Sequence, residues 1–155
     1  MEAPEKVSVI MPCYNAEKTV KRSIESVMSQ TYPDFKLIVV NDGSTDNTST
    51  LLEDLKAQYP LKIDLIHQNN QGQTKSKNKA LLHAKGQYIA LLDSDDLWNK
   101  EKLFKQITYL ESHPEVGLCY TNGFYINAQD ETTGIIGIEP GYRGKCLEKI
   151  MYKNA

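Results

Sequence analysis

The chain has 155 residues, 40% of them hydrophobic and 25% charged, which is enough to bury the core of one ordinary soluble domain without disulfides or a structural metal. Its formal net charge of -2 supplies no basic field for nucleic acid, so an anionic ligand has to be held by local groups. Cys13, Cys119 and Cys146 cannot all pair and share no zinc-ligand spacing, which reads as free thiols in a reducing compartment.

The opening residues MEAPEK are polar, so no signal peptide is read and the protein is expected to start in the cytoplasm. No stretch approaches the roughly 18 apolar residues of a membrane span, and peripheral association with the inner face of a membrane is compatible with this composition. Val7 to Met11 reads as a strand buried on both faces and stopped by Pro12. Asn15 offers an N-cap for a helix carrying Val20, Ile24, Val27 and Met28 at helical spacing up to Gln30. Leu37 to Val40 is a second strand, ended by Asn41-Asp42-Gly43-Ser44. Asp46 or Asn47 then caps a helix with Leu51, Leu52, Leu55 and Tyr59, closed by Pro60. Ile63 to His67 is a third strand, followed by a polar loop and a helix capped by Thr74, with Gly86 just past its end. Tyr88 to Leu92 is a fourth strand running into Asp93-Ser94-Asp95-Asp96, and Lys100 to Ser112 a fourth helix. Beyond Pro114, Val116 to Asn127 and Ile135 to Ile138 read as strands and Gly144 to Tyr152 as a last helix.

Strand and helix alternate four times with short connections, which predicts an α/β fold: a doubly wound, mainly parallel sheet with helices on both faces. No linker or repeat interrupts the chain, so residues 1–155 read as a single domain. In such sheets ligands sit outside the carboxyl ends of the strands, where this sequence places Pro12-Cys13-Tyr14-Asn15, Asn41 to Ser44, Gln68 to Asn70 and Asp93 to Asp96.

Asp93, Asp95 and Asp96 would repel one another unless a cation neutralises them. A bare D-x-D is more often a helix N-cap with dipole-friendly acids. At the end of a fourth βαβ strand, beside three other polar strand ends, it reads instead as a site where Asp95 shares magnesium or manganese with a pyrophosphate. Asp42 only accepts hydrogen bonds and so would select uracil, whose ring N–H donates, over cytosine; it also suits a turn that satisfies its own backbone. Tyr14 could stack on a base or pack at the rim of the sheet. Lys75, Lys77 and Lys79 at the start of a helix suit a diphosphate or plain solvent.

The runs VSVIMPCYN, SVMSQTYPDFKLIVVNDGSTDNT and NNQGQTKSKNKALLHAKGQYIALLDSDD, in this order between Val7 and Ser112, resemble glycosyltransferase family 2, inverting enzymes of GT-A fold. The resemblance implies that Tyr14 and Asp42 hold the uracil of a UDP-sugar, with Pro12 and Asn15 in the pocket wall. It implies that Asp93 contacts the donor's ribose or sugar and that Asp95, with Asp93 as a second candidate, binds Mn2+ or Mg2+. Lys77 stands where the family often has arginine, which keeps the charge and loses the bidentate fork. The implied reaction moves a sugar to an acceptor hydroxyl of a glycan or lipid-linked glycan, with inversion. The family's general base is expected beyond Ala155, so the chain reads as the donor-binding portion, cut before the acceptor-binding segment. The alternatives are a non-catalytic nucleotide-sugar-binding module and a metal-dependent nucleotidyltransferase. A dinucleotide or P-loop site is excluded because neither G-x-G-x-x-G nor G-x-x-x-x-G-K-[ST] occurs.

Overall fold

The computed structural model describes residues 5–127, 129 and 131–136. Contacts divide the chain into two compact units, Met1–Lys105 and Gln106–Ala155. The first unit holds β1 (Val7–Cys13), α1 (Val20–Met28), β2 (Phe35–Asp42), α2 (Thr48–Gln58), β3 (Ile63–Gln68), α3 (Gln73–Leu81) and β4 (Tyr88–Leu91). α4 (Lys102–Ser112) begins in it and runs into the second.

The four strands of the first unit form one parallel sheet in the order β3-β2-β1-β4. The chain winds outward from β1 through β2 to β3, then returns to the other side of β1. Right-handed crossovers therefore place α1 and α2 on one face and α3 on the other. Ile10, Ile38 and Val40 pack against Ala80 of α3, with Ile66 and Ala84 at the edge of that cluster. The alternate residues Val9, Met11, Leu37 and Val39 are equally buried, so both faces of the central strands are covered and the α/β reading holds.

Pro12 does not end its strand as expected: it lies inside β1, in register with Val40. The carbonyls of Lys6 and Ile10 accept from the N–H groups of Tyr88 and Leu92, so the even-numbered residues of β1 turn their backbone toward β4. β4 has ended by Leu91, and the missing N–H of Pro12 faces a position where no ladder bond is required. Helix starts also differ. α1 begins after Thr19 and α3 after Gly72, so neither Asn15 nor Thr74 is a cap, and α4 starts at Lys102. Asn15 instead takes a left-handed conformation with φ 48°.

Gly86 is forced by packing. A Cβ there would stand 2.5 Å from the backbone nitrogen of Ser8 and 2.8 Å from the carbonyl carbon of Val7. The close approach lets Gly86 N–H donate to Ser8 Oγ at 2.9 Å. Gly86→Ala should cost about 1–3 kcal/mol, the range for overpacking a rigid contact. A lower urea midpoint with an unchanged slope is the expected readout.

In the second unit, β5 (Gly123–Ile126) and β6 (Thr132–Ile136) pair antiparallel, with an irregularity at Tyr125/Ile126. The strand expected from Val116 shortens to Gly123–Ile126, because the stretch before it opens in a turn closed by Val116 N–H on the His113 carbonyl. Ile138 and the helix expected over Gly144 to Tyr152 lie outside the described residues. Among the described residues no helix is long and apolar enough to cross a membrane.

Candidate functional site

A cavity of about 820 Å³ opens at the carboxyl ends of the strands, where the direction of winding switches between β1 and β4. Its walls are Pro12 and Cys13 at the end of β1 with Tyr14 to Thr19 beyond it, Asp42 at the end of β2 with Asp46 beyond it, Asn70, Gly72, Gln73 and Ser76 around the start of α3, and Asp93 to Asp95 after β4. Pro12, Tyr14, Asn15, Asp42, Asp93 and Asp95 thus share one cavity. Lys77 does not line it and is committed instead to Asp93, with Nζ 2.9 Å from Oδ1.

The first two strand ends are clasped together. Asn15 N–H donates to Ser44 Oγ at 3.1 Å, while Asn15 Oδ1 accepts Thr45 N–H at 2.8 Å. Ala16 N–H donates to Thr48 Oγ1 at 2.8 Å, Glu17 N–H to Asp46 Oδ2 at 3.2 Å, and Asn47 N–H to Glu17 Oε2 at 3.0 Å. Asp46 Oδ1 also accepts the N–H of Thr48, the first residue of α2, at 3.0 Å. This clasp holds Tyr14 at the cavity rim with 49% of its surface exposed, so Tyr14 is not a core residue.

Asp42 is buried at 2% exposure, and its carboxylate organises the loop before α3. Oδ1 accepts Gln68 Nε2 at 2.7 Å and Gln71 N–H at 2.9 Å, and Oδ2 accepts Gly72 N–H at 2.8 Å. Burial pushes its pKa up, but the donors Gln68, Gln71, Gly72 and Ser76 outweigh burial and hold the carboxyl below the usual carboxylate range. A Cβ at Gly43, where φ is +70°, would meet Asn70 N at 2.7 Å, so this loop and the Asp42 turn fit each other only through a glycine.

At the β4 end, Asp93 Oδ1 accepts Gln73 Nε2 at 3.1 Å and pairs with Lys77, so two side chains one turn apart on α3 steer one carboxylate oxygen. Asp95 is exposed beside it. Burial, then the charges of Asp95 and Asp93, push the Asp96 carboxyl up, with Lys77 opposing, so the acids form one electrostatic cluster. α1 and Gln30 just past its end hold this loop in place. Ser23 Oγ donates to the Ser94 carbonyl at 2.9 Å, Ser26 Oγ accepts Trp98 N–H at 3.1 Å, and Gln30 Nε2 donates to the Asn99 carbonyl at 2.8 Å.

Among the described residues no group of three or more His, Cys, Asp or Glu side chains is placed to hold a metal ion alone. Magnesium and manganese do not need such a cage, since one or two carboxylates complete their shell with phosphate oxygens and water. Asp93 and Asp95, hard oxygen donors on one cavity wall, fit that partial shell. Cys13 fits no nucleophilic role. Burial pushes its thiol up to about 12, against a lowering hydrogen bond with Ser94 and with a small further rise from Asp46.

The sequence missed Gln73, Asp46 and the row formed by Ser23 and Ser26 of α1 with Gln30 just past its end. Spacing at i, i+3 and i+7 on one helix face carried a signal for that row, but its partners lie about 70 residues away and leave no local pattern.

Residues 8–153 match the model of the family described as glycosyl transferase family 2. The UDP-Glc:alpha-D-GlcNAc-diphosphoundecaprenol beta-1,3-glucosyltransferase WfgD of Escherichia coli is 41% identical over 122 residues, covering 78% of this chain and 47% of that protein. In structure the chain is similar to TarS 1-349 of S. aureus in complex with UDP, with TM-score 0.65, 35% identity, and 70% of this chain and 33% of that 1-349 chain covered. It is also similar to the mannosyltransferase PcManGT of Pyrobaculum calidifontis in complex with GDP-Man and Mn2+, with TM-score 0.68, 26% identity, and coverage of 83% and 37%. The chain spans about half or less of the length of the curated relatives it matches.

Proposed function

This chain belongs to glycosyl transferase family 2, and from that premise we propose that it binds a UDP-sugar in the cavity at its strand ends and serves transfer of the sugar to an acceptor hydroxyl. The observation that carries the reading is the convergence of Tyr14, Asp42, Asp93 and Asp95, from three separate strand ends, on one cavity of about 820 Å³. Tyr14 offers a half-exposed ring for the base to stack on. Asp42 holds the loop that closes the base pocket. As a carboxylate held below its usual range it only accepts, which suits the ring N–H that uracil offers and cytosine lacks. Pro12 and Asn15 form the wall beside it. The UDP complex of TarS and the UDP-Glc in the name of WfgD support the choice of base.

Asp95, with Asp93, would hold a divalent cation, Mn2+ or Mg2+, which when bound would offset the pyrophosphate charge and stabilise departing UDP. Lys77 and Gln73 hold the Asp93 carboxylate through Oδ1, and Asp93 would contact the ribose or sugar of the donor. The acceptor hydroxyl then displaces UDP in one step, with inversion. We assign no described residue the task of deprotonating the acceptor. The diphosphoundecaprenol in the name of WfgD supports a glycan or lipid-linked glycan acceptor, hence work at a membrane face in polysaccharide assembly.

Tyr14→Ala tests the base pocket. UDP affinity should fall by roughly 1–3 kcal/mol, the range for one lost stack, while melting temperature changes little. Calorimetry beside a thermal melt decides it: unchanged affinity with a large loss of stability would return Tyr14 to a packing role.

A further inference from the structure

A chain of hydrogen bonds runs from the surface of α2 to the wall of the cavity. His67, near the end of β3, has both ring nitrogens engaged: Nε2 lies 2.8 Å from Glu53 Oε1, and Nδ1 lies 3.2 Å from Asn41 Nδ2. Asn41 stands in register with His67 on the neighbouring strand and is buried at 3% exposure. Its amide orientation follows from its other end, where Oδ1 accepts Ser44 N–H at 3.2 Å. Nδ2 therefore faces the imidazole. An amide nitrogen only donates, so His67 Nδ1 accepts, and the Glu53 carboxylate only accepts, so Nε2 carries the proton. In the neutral ring these partners select the Nε2–H tautomer. Beyond Asn41, Ser44 Oγ accepts Asn15 N–H and Thr45 N–H reaches Asn15 Oδ1, so the chain ends on the turn that presents Tyr14.

We propose that His67 is a positioning residue for the nucleotide pocket: its neutral ring holds Asn41, and through Asn41 the Ser44 and Thr45 loop, and its protonation loosens that loop and lowers nucleotide affinity. A second proton, on Nδ1, sets two donors face to face at Asn41. Relief within the network requires the amide to turn over, which puts Nδ2 against Ser44 N–H and breaks that bond as well. Glu53 accepts from Nε2–H in either state of the ring, so the consequence of a second proton falls on Asn41. Of the other charged groups on these elements, Asp54 of α2 is exposed and the rest have partners of their own. Lys56 of α2 bonds the carbonyls of Pro60 and Ile63, Lys36 of β2 pairs with Asp64 at the far end of β3, and Asp42 is held by the loop before α3.

The link from His67 to the loop stands on its own, whereas its effect on affinity rests on the reading of the cavity as a UDP-sugar site. Full-length protein labelled with 15N would be titrated from about pH 8 to pH 5, the range in which imidazole changes charge, with UDP affinity measured alongside. The backbone amides of Ser44 and Thr45 and the side-chain amide of Asn41 should shift with the same midpoint as the His67 ring. UDP affinity should fall about three- to tenfold across it, the factor that one hydrogen bond carries. In His67→Asn, whose Oδ1 keeps an acceptor near the place of Nδ1 and cannot titrate, loop signals and affinity should lose this transition. Loop amides that ignore the His67 titration, or a UDP profile identical in His67→Asn, overturn the proposal. Loop signals that follow His67 while UDP binds at no pH uphold the coupling and overturn the nucleotide reading of the cavity.

Discussion

Replacing Asp95 by alanine should remove the divalent-ion dependence of UDP binding and lower sugar transfer by about a thousandfold. A Lewis acid on the pyrophosphate is worth several kcal/mol in the transition state, and each 1.4 kcal/mol or so is a factor of ten. The fold should survive, because Asp95 is exposed and serves no part of the core. Stability near neutral pH should even hold or rise slightly. Burial raises the Asp96 pKa first and the Asp95 charge raises it next, so deleting that charge relieves repulsion. Transfer assays on the full-length protein, with and without added Mn2+, are the measurement. A variant that keeps transfer within about threefold of wild type would remove Asp95 from the metal site.

Asp42→Ala should act in the opposite pattern, on stability before affinity. It leaves Gln68 Nε2 and the N–H groups of Gln71 and Gly72 without their acceptor in a buried turn, at about 1–3 kcal/mol for each donor that water cannot reach. A loss of about 2–4 kcal/mol in urea denaturation is expected. The pH dependence has a definite sign. The folded-state pKa of Asp42 is lowered, so its contribution is present above the ordinary carboxylate range and is lost as pH falls through the folded-state value. Wild type should therefore weaken below about pH 4, and Asp42→Ala should flatten that acid limb. A stable variant that merely fails to bind UDP would show that Asp42 serves the ligand and not the loop.

The alternation of apolar runs with capped helices made the parallel sheet legible, because strands buried on both faces, such as Val7 to Met11 and Leu37 to Val40, leave a continuous hydrophobic run. The rule placing ligands at strand ends then gathered Tyr14, Asp42, Asp93 and Asp95 before any contact was known. What failed was local chemistry with two uses. Asn15 and Thr74 have the residue type of a cap, yet Asn15 clasps the neighbouring strand end and Thr74 lies inside the first turn of α3. Pro12 read as a terminator because a proline's tolerance depends on which neighbour its missing N–H faces, and strand order is not written in the strand itself. Lys77, read as donor-binding, pairs with Asp93 across the loop, a contact that its sequence neighbours do not announce. The tie from Ser23 to Ser94 and the chain from Glu53 through His67 to Asn41 join distant segments through single hydrogen bonds, which no periodicity announces.

The central claim is a UDP site that works through a divalent ion, and isothermal titration of UDP into the full-length protein tests it most directly. Two titrations suffice, one with Mn2+ and one after EDTA, with ATP as the competing nucleotide. UDP should bind with Mn2+ and weaken at least tenfold after chelation, and ATP should bind more weakly than UDP in both. Equal UDP affinity in the two conditions, or ATP bound tightly in place of UDP, would contradict it.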